Sequence, residues 1–171
     1  WAVLLVCATF PLIWVGGLVT TYKAGMAVPD WPSTYGYNLL LYPWTTWFSG
    51  PFDLFVEHAH RLLAVLIGLV TIGLVISIYR TGQRRWLRVL SLCALAAVIA
   101  QGVLGGARVL LDERTLALVH ACTGPAFFGL AVAIACTLSR SWKNPQGDIP
   151  AEKLSVVRVS RVAQWSLMAC G

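Results

Sequence analysis

The sequence predicts an all-α membrane protein, a polytopic bundle of four transmembrane helices. Its 171 residues are 58% hydrophobic and 12% charged, with a mean hydropathy of +0.73, whereas a soluble domain is about half apolar and about a quarter charged. Four apolar stretches are each close to the ~20 residues that a helix needs to cross a bilayer. The alternating pattern of a membrane barrel is absent. These observations argue against a soluble enzyme and give nucleic-acid binding no support.

The four predicted spans follow one another along the chain. They run from about Trp1 to Thr20, from Ala59 to Tyr79, from Trp86 to Val109 and from Leu116 to Leu138. Inside lipid every backbone polar group must be paired, which a helix achieves within its own segment. A further apolar run begins near Val162. We therefore expect a four-helix half over residues 1–161 and the start of a fifth helix over residues 162–171, both belonging to a longer protein.

The basic residues predict the orientation of the bundle. Most of them lie between spans two and three or after span four: Arg80, Arg84, Arg85, Arg88, Arg140, Lys143, Lys153, Arg158 and Arg161. The connection between spans one and two has Lys23 as its one basic residue. Because loops rich in Lys and Arg stay on the cytoplasmic side, spans two and four should enter from the outer face. We expect a bacterial inner membrane, with the mitochondrial inner membrane as the alternative.

The connection between spans one and two is long and rich in aromatic residues. Its tryptophans and tyrosines are Trp31, Trp44, Trp47, Tyr22, Tyr35, Tyr37 and Tyr42. Aromatic rings prefer the headgroup layer, so one interpretation is an interfacial belt. The other is a lid over a site at the outer ends of the helices, because loops longer than ~15 residues are often functional.

Two histidines are predicted to lie at similar depth on two helices. His60 begins span two and His120 lies near the start of span four. Histidine is rare and costly within a span, and imidazoles on facing helices suit axial ligation of one haem iron. We therefore predict that His60 and His120 bind a haem iron; the alternative is two satisfied polar side chains. His58, offset by two residues from His60, should point elsewhere.

Three charged residues near the outer rim have two interpretations each. Glu57 precedes His60 by three residues, so the two share a helix face. Glu57 either handles protons beside a bound metal or caps span two through the helix dipole. Arg61 and Arg108 either pair with a haem propionate or keep their charged ends at the membrane surface. The pattern of residues does not separate these alternatives.

Small residues in spans three and four also have two interpretations. Gly102 and Gly106 form a GxxxG pattern, which either lets helices approach closely or leaves a slot for a flat macrocycle. Gly124 and Pro125 are expected to loosen span four near the same place.

The cysteines give no sign of a disulfide framework or a zinc site, because none forms a CxxC and all lie in apolar stretches. They are Cys7, Cys93, Cys122, Cys136 and Cys170. We interpret them as small buried hydrophobes.

Taken in order, several of these residues resemble the motifs of the haem A synthase family. Gly16 to Thr20, followed by Ala27 to Pro32, resembles the opening of the family's sequences. The E-x-x-H-R element of the family's second helix resembles Glu57, His60 and Arg61. The family's third-helix motif resembles Gln101 to Gly106, and its fourth-helix histidine matches His120. Some bacterial members carry a cysteine pair in the first outer connection. No cysteine lies between Thr21 and His58, so this sequence resembles the cysteine-free members.

The resemblance implies an eight-helix protein of two related four-helix halves, of which this chain would be the first. It implies an oxidoreductase that converts the C8 methyl group of haem O to the formyl group of haem A for cytochrome oxidase assembly. His60 and His120 would bind haem O or haem A, and Glu57 would be the catalytic carboxylate. The second half would hold haem b.

The partners implied by the resemblance are the enzyme that makes haem O and a membrane electron donor, and a homo-oligomer is compatible with it. Two rival hypotheses remain. A bis-histidine b-type membrane cytochrome, which only carries electrons, explains the histidine pair equally well but gives no reason for Glu57. A membrane scaffold with structural histidines is the third.

Overall fold

The computed structural model describes residues 1–139, and helices are the main elements of that part of the chain. The helices are α1 (Ala2–Thr21), α2 (Trp44–Ser49), α3 (Phe52–Arg80), α4 (Arg85–Leu111) and α5 (Arg114–Leu138), with 3₁₀ turns at Ala24–Met26 and Leu39–Leu41. Four of these helices, α1, α3, α4 and α5, are long and apolar enough to cross a membrane. The predicted all-α bundle with four spans is thus confirmed.

Trp1–Ala135 form one compact unit, which contains the cavity and the histidines of interest. The predicted fifth helix over residues 162–171, the boundary at residue 161, the basic residues from Arg140 onwards and Cys170 lie outside the described residues.

Helix α3 begins at Phe52, seven residues before the apolar stretch that predicted it. Pro51 precedes its first turn, and the Asp53 carboxylate accepts a hydrogen bond from the backbone N–H of Leu54 at 2.8 Å. An acid in the first turn also complements the helix dipole. Apolarity alone misses these turns because they are polar on one face. His60 therefore lies in the third turn of α3 rather than at its start.

Helix α3 is the centre of the bundle and packs against α1 and α4. Its buried apolar residues Ile67, Val70, Leu74 and Ile78 recur every three or four positions and so form one stripe. Large apolar side chains elsewhere on the spans are exposed, among them Phe10, Trp14, Leu69 and Ile99. Lipid tails are as apolar as these side chains, so their exposure on a membrane bundle costs little.

Helix α5 packs less closely against the other spans, within the described residues, than α1, α3 and α4 pack together. Its contacts are made by side chains. The rings of Phe10 and Phe128 join it to α1 with centroids 6.5 Å apart, and the Gln101 amide donates a hydrogen bond to the Thr123 hydroxyl. The space left between α5 and its neighbours is the cavity described below.

The prediction that the cysteines are buried is wrong for the four that are described. Cys7, Cys93, Cys122 and Cys136 are free thiols and are exposed. In a soluble protein a small apolar side chain of this kind is buried. On transmembrane helices it can instead face lipid, which removes the need for a place in the core.

Candidate active site

A cavity of about 500 Å³ lies between the four spans. This volume is within the range of pockets that bind small molecules, roughly 300–1,000 Å³. Its apolar walls include Leu12, Ile13, Val65, Val98 and Phe127. Trp31, Pro32 and Leu39 complete it; they belong to the connection between α1 and α3 (residues 22–51, the outer connection). Among residues 1–139 its charged lining residues are Arg61 and Arg108. The cavity therefore suits a largely apolar ligand with an anionic or polar edge.

The imidazole rings of His60 on α3 and His120 on α5 face each other across this cavity. Their ring centroids are 6.3 Å apart and their planes are inclined by 88°. A metal-bound imidazole nitrogen lies about 2 Å from its metal, and the ring centre about 1 Å farther, so two rings on opposite sides of one metal have centres roughly 6 Å apart. The observed separation fits one metal atom between the rings.

The donor set points to a porphyrin rather than to a bare metal ion. Within residues 1–139 no group of three or more His, Cys, Asp or Glu side chains could hold a metal. Two imidazoles alone do not complete a protein metal site, whereas a haem iron needs only its axial ligands from the protein. Haem therefore fits the residues that are present.

The second nitrogen of each ring has an unusual environment. The Nδ1 atoms of His60 and His120 are buried and make no hydrogen bond of ordinary geometry with the described residues. Buried polar atoms are normally paired, so two buried ring nitrogens without such a bond within residues 1–139 argue against the alternative of two satisfied polar side chains.

Glycines provide the space in which the rings lie. A β-carbon at Gly16 would stand 2.9 Å from Cε1 of His60, and one at Gly105 would stand 3.2 Å from Cε1 of His120. Gly102 and Gly124 line the cavity, and a β-carbon at either would have no neighbour within 4 Å. The missing side chain of Gly102 therefore leaves space in the cavity and does not serve a close contact between helices. This favours the slot for a macrocycle over helix packing.

The guanidinium of Arg61 fastens the outer connection to α3. It donates hydrogen bonds to the carbonyl oxygens of Asp30 at 2.6 Å, Ser33 at 2.8 Å and Val28 at 2.8 Å, and to Oε1 of Glu57 at 2.7 Å. All these acceptors belong to the protein, and the side chain is 9% exposed. The guanidinium is thus occupied by protein oxygens, and neither alternative given for Arg61, a haem propionate or the membrane surface, accounts for these contacts.

The carboxylate of Glu57 is buried in the same network. Its Oε2 accepts a hydrogen bond from the backbone N–H of Val28 at 3.0 Å, and the residue is 2% exposed. The capping alternative is excluded, because α3 begins five residues before Glu57. Glu57 is not among the residues that line the cavity in the described part of the chain. It lies beside Arg61 and contacts the cavity only through that residue.

The Pro29-Asp30-Trp31-Pro32 stretch is held in a turn. The Asp30 carboxylate accepts hydrogen bonds from the backbone N–H groups of Tyr35 and Gly36, both at 2.8 Å. Burial by itself would raise the pKa of Asp30, but these bonds and one from Ser33 hold the pKa below the ordinary 3.8. Gly36 has a φ of 79°, which a glycine adopts without strain.

The turn carries Trp31 to the cavity. A β-carbon at Gly106 would stand 2.7 Å from Cε3 of Trp31 and closer still to other atoms of the ring. Trp31, Pro32 and Leu39 all line the cavity, which favours a lid for this part of the connection. Trp44, by contrast, is 71% exposed, as expected for the interfacial belt.

His58 points away from the cavity, as predicted. Its Nδ1 shares a hydrogen bond with the hydroxyl of Thr34 at 3.1 Å. Its ring lies beside those of Tyr42 and Trp47, with centroids 5.0 and 5.1 Å away. His58 is 2% exposed and joins the outer connection to α3.

Sequence reasoning missed the glycines that face functional side chains. Gly16 and Gly105 face the two imidazoles, and Gly25 faces the guanidinium of Arg108. One signal could have found them. A glycine inside an apolar or helical segment that has no GxxxG partner lowers helix stability, so its presence suggests that a neighbouring group needs the space.

Comparison with known proteins gives one family. Residues 1–170 match the COX15-CtaA model, described as cytochrome oxidase assembly protein. The chain is 29% identical over 154 residues to Heme A synthase of Rhizobium rhizogenes, covering 85% of this chain and 39% of that protein. It is 30% identical over 166 residues to Heme A synthase of a Bradyrhizobium species, covering 92% of this chain and 41% of that protein.

A third relative carries a different name. The chain is 30% identical over 145 residues to Protoheme IX farnesyltransferase of Halobacterium salinarum, covering 83% of this chain and 30% of that protein. The chain thus spans 30–41% of the length of these curated relatives. No solved structure matches it.

Proposed function

The chain belongs to the COX15-CtaA family of cytochrome oxidase assembly proteins, and from that premise we propose that it is the half of a haem A synthase that binds the substrate haem. The proposed reaction converts the C8 methyl group of haem O to the formyl group of haem A. The observation that carries the proposal is the pair of imidazoles, His60 and His120, facing each other at 6.3 Å across a glycine-lined cavity. The names of two relatives support it.

In this proposal the protein binds and orients the substrate. His60 and His120 would hold the haem iron through one nitrogen each. The bound haem supplies the redox chemistry, while the protein contributes ligation, orientation and the surrounding medium. Apolar walls exclude water, which strengthens electrostatic interactions inside the cavity. Trp31 closes the outer side by resting on Gly106.

We keep Glu57 as the proposed catalytic carboxylate for proton handling, and its surroundings add a second way of acting. Its bonds to Arg61 and to the N–H of Val28 hold the outer connection against α3. Through that connection Glu57 positions Trp31 over the cavity. The two roles are separable, because only proton handling needs the acid itself and positioning needs only a hydrogen-bond acceptor.

The proposed partners follow from the substrate. The similarity to a protein named protohaem IX farnesyltransferase supports an association with the enzyme that makes haem O. That similarity covers 30% of the halobacterial protein, so most of it lies outside the matched region. We also propose a second half with haem b, a membrane electron donor and a bacterial inner membrane as the location. A homo-oligomer remains compatible with the proposal.

The test is the pigment extracted from the full-length protein, expressed in cells that make haem O. We expect haem O and haem A in the wild-type extract and their loss when both His60 and His120 are replaced by Ala. An extract with haem B alone would instead favour a b-type electron carrier. A correctly inserted protein without a Soret band would leave only the scaffold.

A further inference from the structure

Arg61 and Arg108 are the charged residues among those that line the cavity, and their surroundings differ. Arg61 already has four acceptors, all of them protein oxygens. Its guanidinium is therefore committed to the outer connection. A ligand that recruited Arg61 would have to displace bonds that hold this connection in place.

Arg108 has no such acceptors. Within residues 1–139 its guanidinium makes no hydrogen bond and no ion pair, although it is partly buried at the end of α4. Glu57, the acid that acts on it electrostatically, is already bound to Arg61 and to Val28. Burying a charge without a partner is costly. The cavity thus contains one cation whose partner is not supplied by the described protein.

The position of Arg108 relates it to the histidine pair. On α4 the cavity-lining residues Val98, Gln101, Gly105 and Arg108 are spaced by three or four residues, so they share one face. Arg108 is the outermost of them and lies about one helical turn beyond Gly105, where a β-carbon would stand 3.2 Å from Cε1 of His120. A ligand gripped between the rings therefore has its outer edge near this guanidinium.

Gly25 of the outer connection makes room for Arg108. A β-carbon at Gly25 would stand 2.9 Å from Nη2 of Arg108 and closer to Nη1. The connection thus confines the guanidinium from above while leaving it without an acceptor. A confined guanidinium suits a carboxylate, because its planar fork matches the two oxygens.

We propose that Arg108 binds a carboxylate of the porphyrin, whereas Arg61 is a positioning residue that holds the outer connection. This inference rests on the proposed function, since it assigns the polar edge of the same ligand. The carboxylate would neutralise the free cation at the outer rim, and the macrocycle would occupy the apolar part of the cavity. Arg108 would thereby fix which edge of the ligand points outwards.

The test uses two probes, ferric haem B and its dimethyl ester, whose carboxylates are blocked. Each is titrated into the full-length protein in phosphatidylcholine nanodiscs, and the Soret absorbance is followed. The signal of this site is the part that the His60→Ala/His120→Ala double variant lacks. Arg108→Gln is compared with Arg114→Gln, which removes an exposed arginine at the start of α5 that does not line the cavity.

We expect Arg108→Gln to weaken binding of haem B by about tenfold or more, since hydrogen bonds between charged groups are among the strong ones. Binding of the dimethyl ester should not change, and Arg114→Gln should affect neither probe. Gly25→Ala displaces the guanidinium of Arg108 but keeps its charge. It should weaken the binding of haem B less than Arg108→Gln does and leave the binding of the dimethyl ester unchanged.

If Arg108→Gln weakened the binding of haem B and of its dimethyl ester equally, the inference would be overturned. Arg108 would then act by packing or by binding a lipid phosphate, and not by binding a porphyrin carboxylate. Unchanged binding of haem B would overturn it as well. These results leave the proposed function intact, since binding that depends on the histidines persists. If neither probe gives a signal that the double histidine variant lacks, the proposed haem site fails, and the role of Arg108 fails with it.

Discussion

Trp31 rests on Gly106, and its ring occupies the place where any larger residue at position 106 would put its β-carbon. Trp31 belongs to the outer connection and Gly106 to the outer part of α4. The contact therefore joins the lid to the wall of the cavity. It depends on a missing side chain, so it can be tested by adding one methyl group.

Gly106→Ala should displace Trp31 and open the outer side of the cavity. Overpacking of this kind costs about 1–3 kcal/mol, so we expect a lower thermal midpoint and faster reduction of bound haem by aqueous dithionite. Gly68→Ala is the matched control, because a β-carbon at Gly68 meets nothing within 4 Å and Gly68 does not line the cavity. Identical reduction rates for both variants would contradict the lid.

Gly16→Ala should disturb the haem site through His60. The new methyl group would stand 2.9 Å from Cε1 of that ring, so the ring has to shift. We expect weaker haem retention and an altered low-spin spectrum. The control Gly68→Ala adds the same methyl group to α3 where nothing lies within 4 Å and away from the cavity lining, and it should leave the spectrum unchanged. An unaltered spectrum in Gly16→Ala would mean that His60 does not bind the haem in this position.

The helices were predictable from the sequence because a bilayer demands long apolar segments. Helical turns that contain polar residues could not be predicted in this way, as the start of α3 illustrates. Its first turns carry Asp53, Glu57 and His58, so a hydropathy pattern places its start seven residues late, at Ala59 instead of Phe52. This shift is why capping stood as one of the two interpretations of Glu57, which lies in the second turn of α3.

The meeting of His60 and His120 could be inferred from their equal depth, since both spans enter from the same side. The partners of Arg61 could not, because its acceptors are backbone carbonyls 28 to 33 residues away. Every residue has a carbonyl, so no side-chain pattern marks such partners. The sequence could therefore not distinguish Arg61 from Arg108, and only the folded connection separates them.

Glu57→Ala should destabilise the protein strongly. Removing one partner of a buried ion pair costs about 3–5 kcal/mol, because the other charge stays buried, and Arg61 is 9% exposed. Glu57→Gln keeps one acceptor oxygen, which can serve Arg61 or the N–H of Val28 but not both, so it should unfold between the temperatures of Glu57→Ala and the wild type. We expect both variants to retain some haem, which is read from the Soret band.

The same pair of variants separates the two roles of Glu57. If the acid handles protons, Glu57→Gln should stop formation of haem A although the haem is bound and the fold is near normal. If Glu57 only positions the outer connection, Glu57→Gln should retain much of the haem A output that Glu57→Ala loses. Full output from Glu57→Ala would exclude both roles.

Acid should loosen the outer connection through Asp30. The hydrogen bonds from the backbone of Gly36 and Tyr35 outweigh the effect of burial and hold the pKa of Asp30 below 3.8 in the folded protein. A carboxyl group whose pKa is lower when folded stabilises the fold above its unfolded pKa, and this contribution is lost as the pH falls through the folded pKa.

Hydrogen exchange of the Tyr35 and Gly36 amides measures this effect. Their protection should be constant from neutral pH down to about pH 4 and should decrease below that, after correction for intrinsic exchange. Asp30→Asn keeps one oxygen acceptor but cannot titrate. In this variant the protection of the Tyr35 and Gly36 amides should be lower than in the wild type at neutral pH and should not change in acid. If the protection of these amides still decreases in acid in Asp30→Asn, another group is responsible for the loosening. The asparagine side chain does not titrate in this range, so it cannot cause a pH dependence.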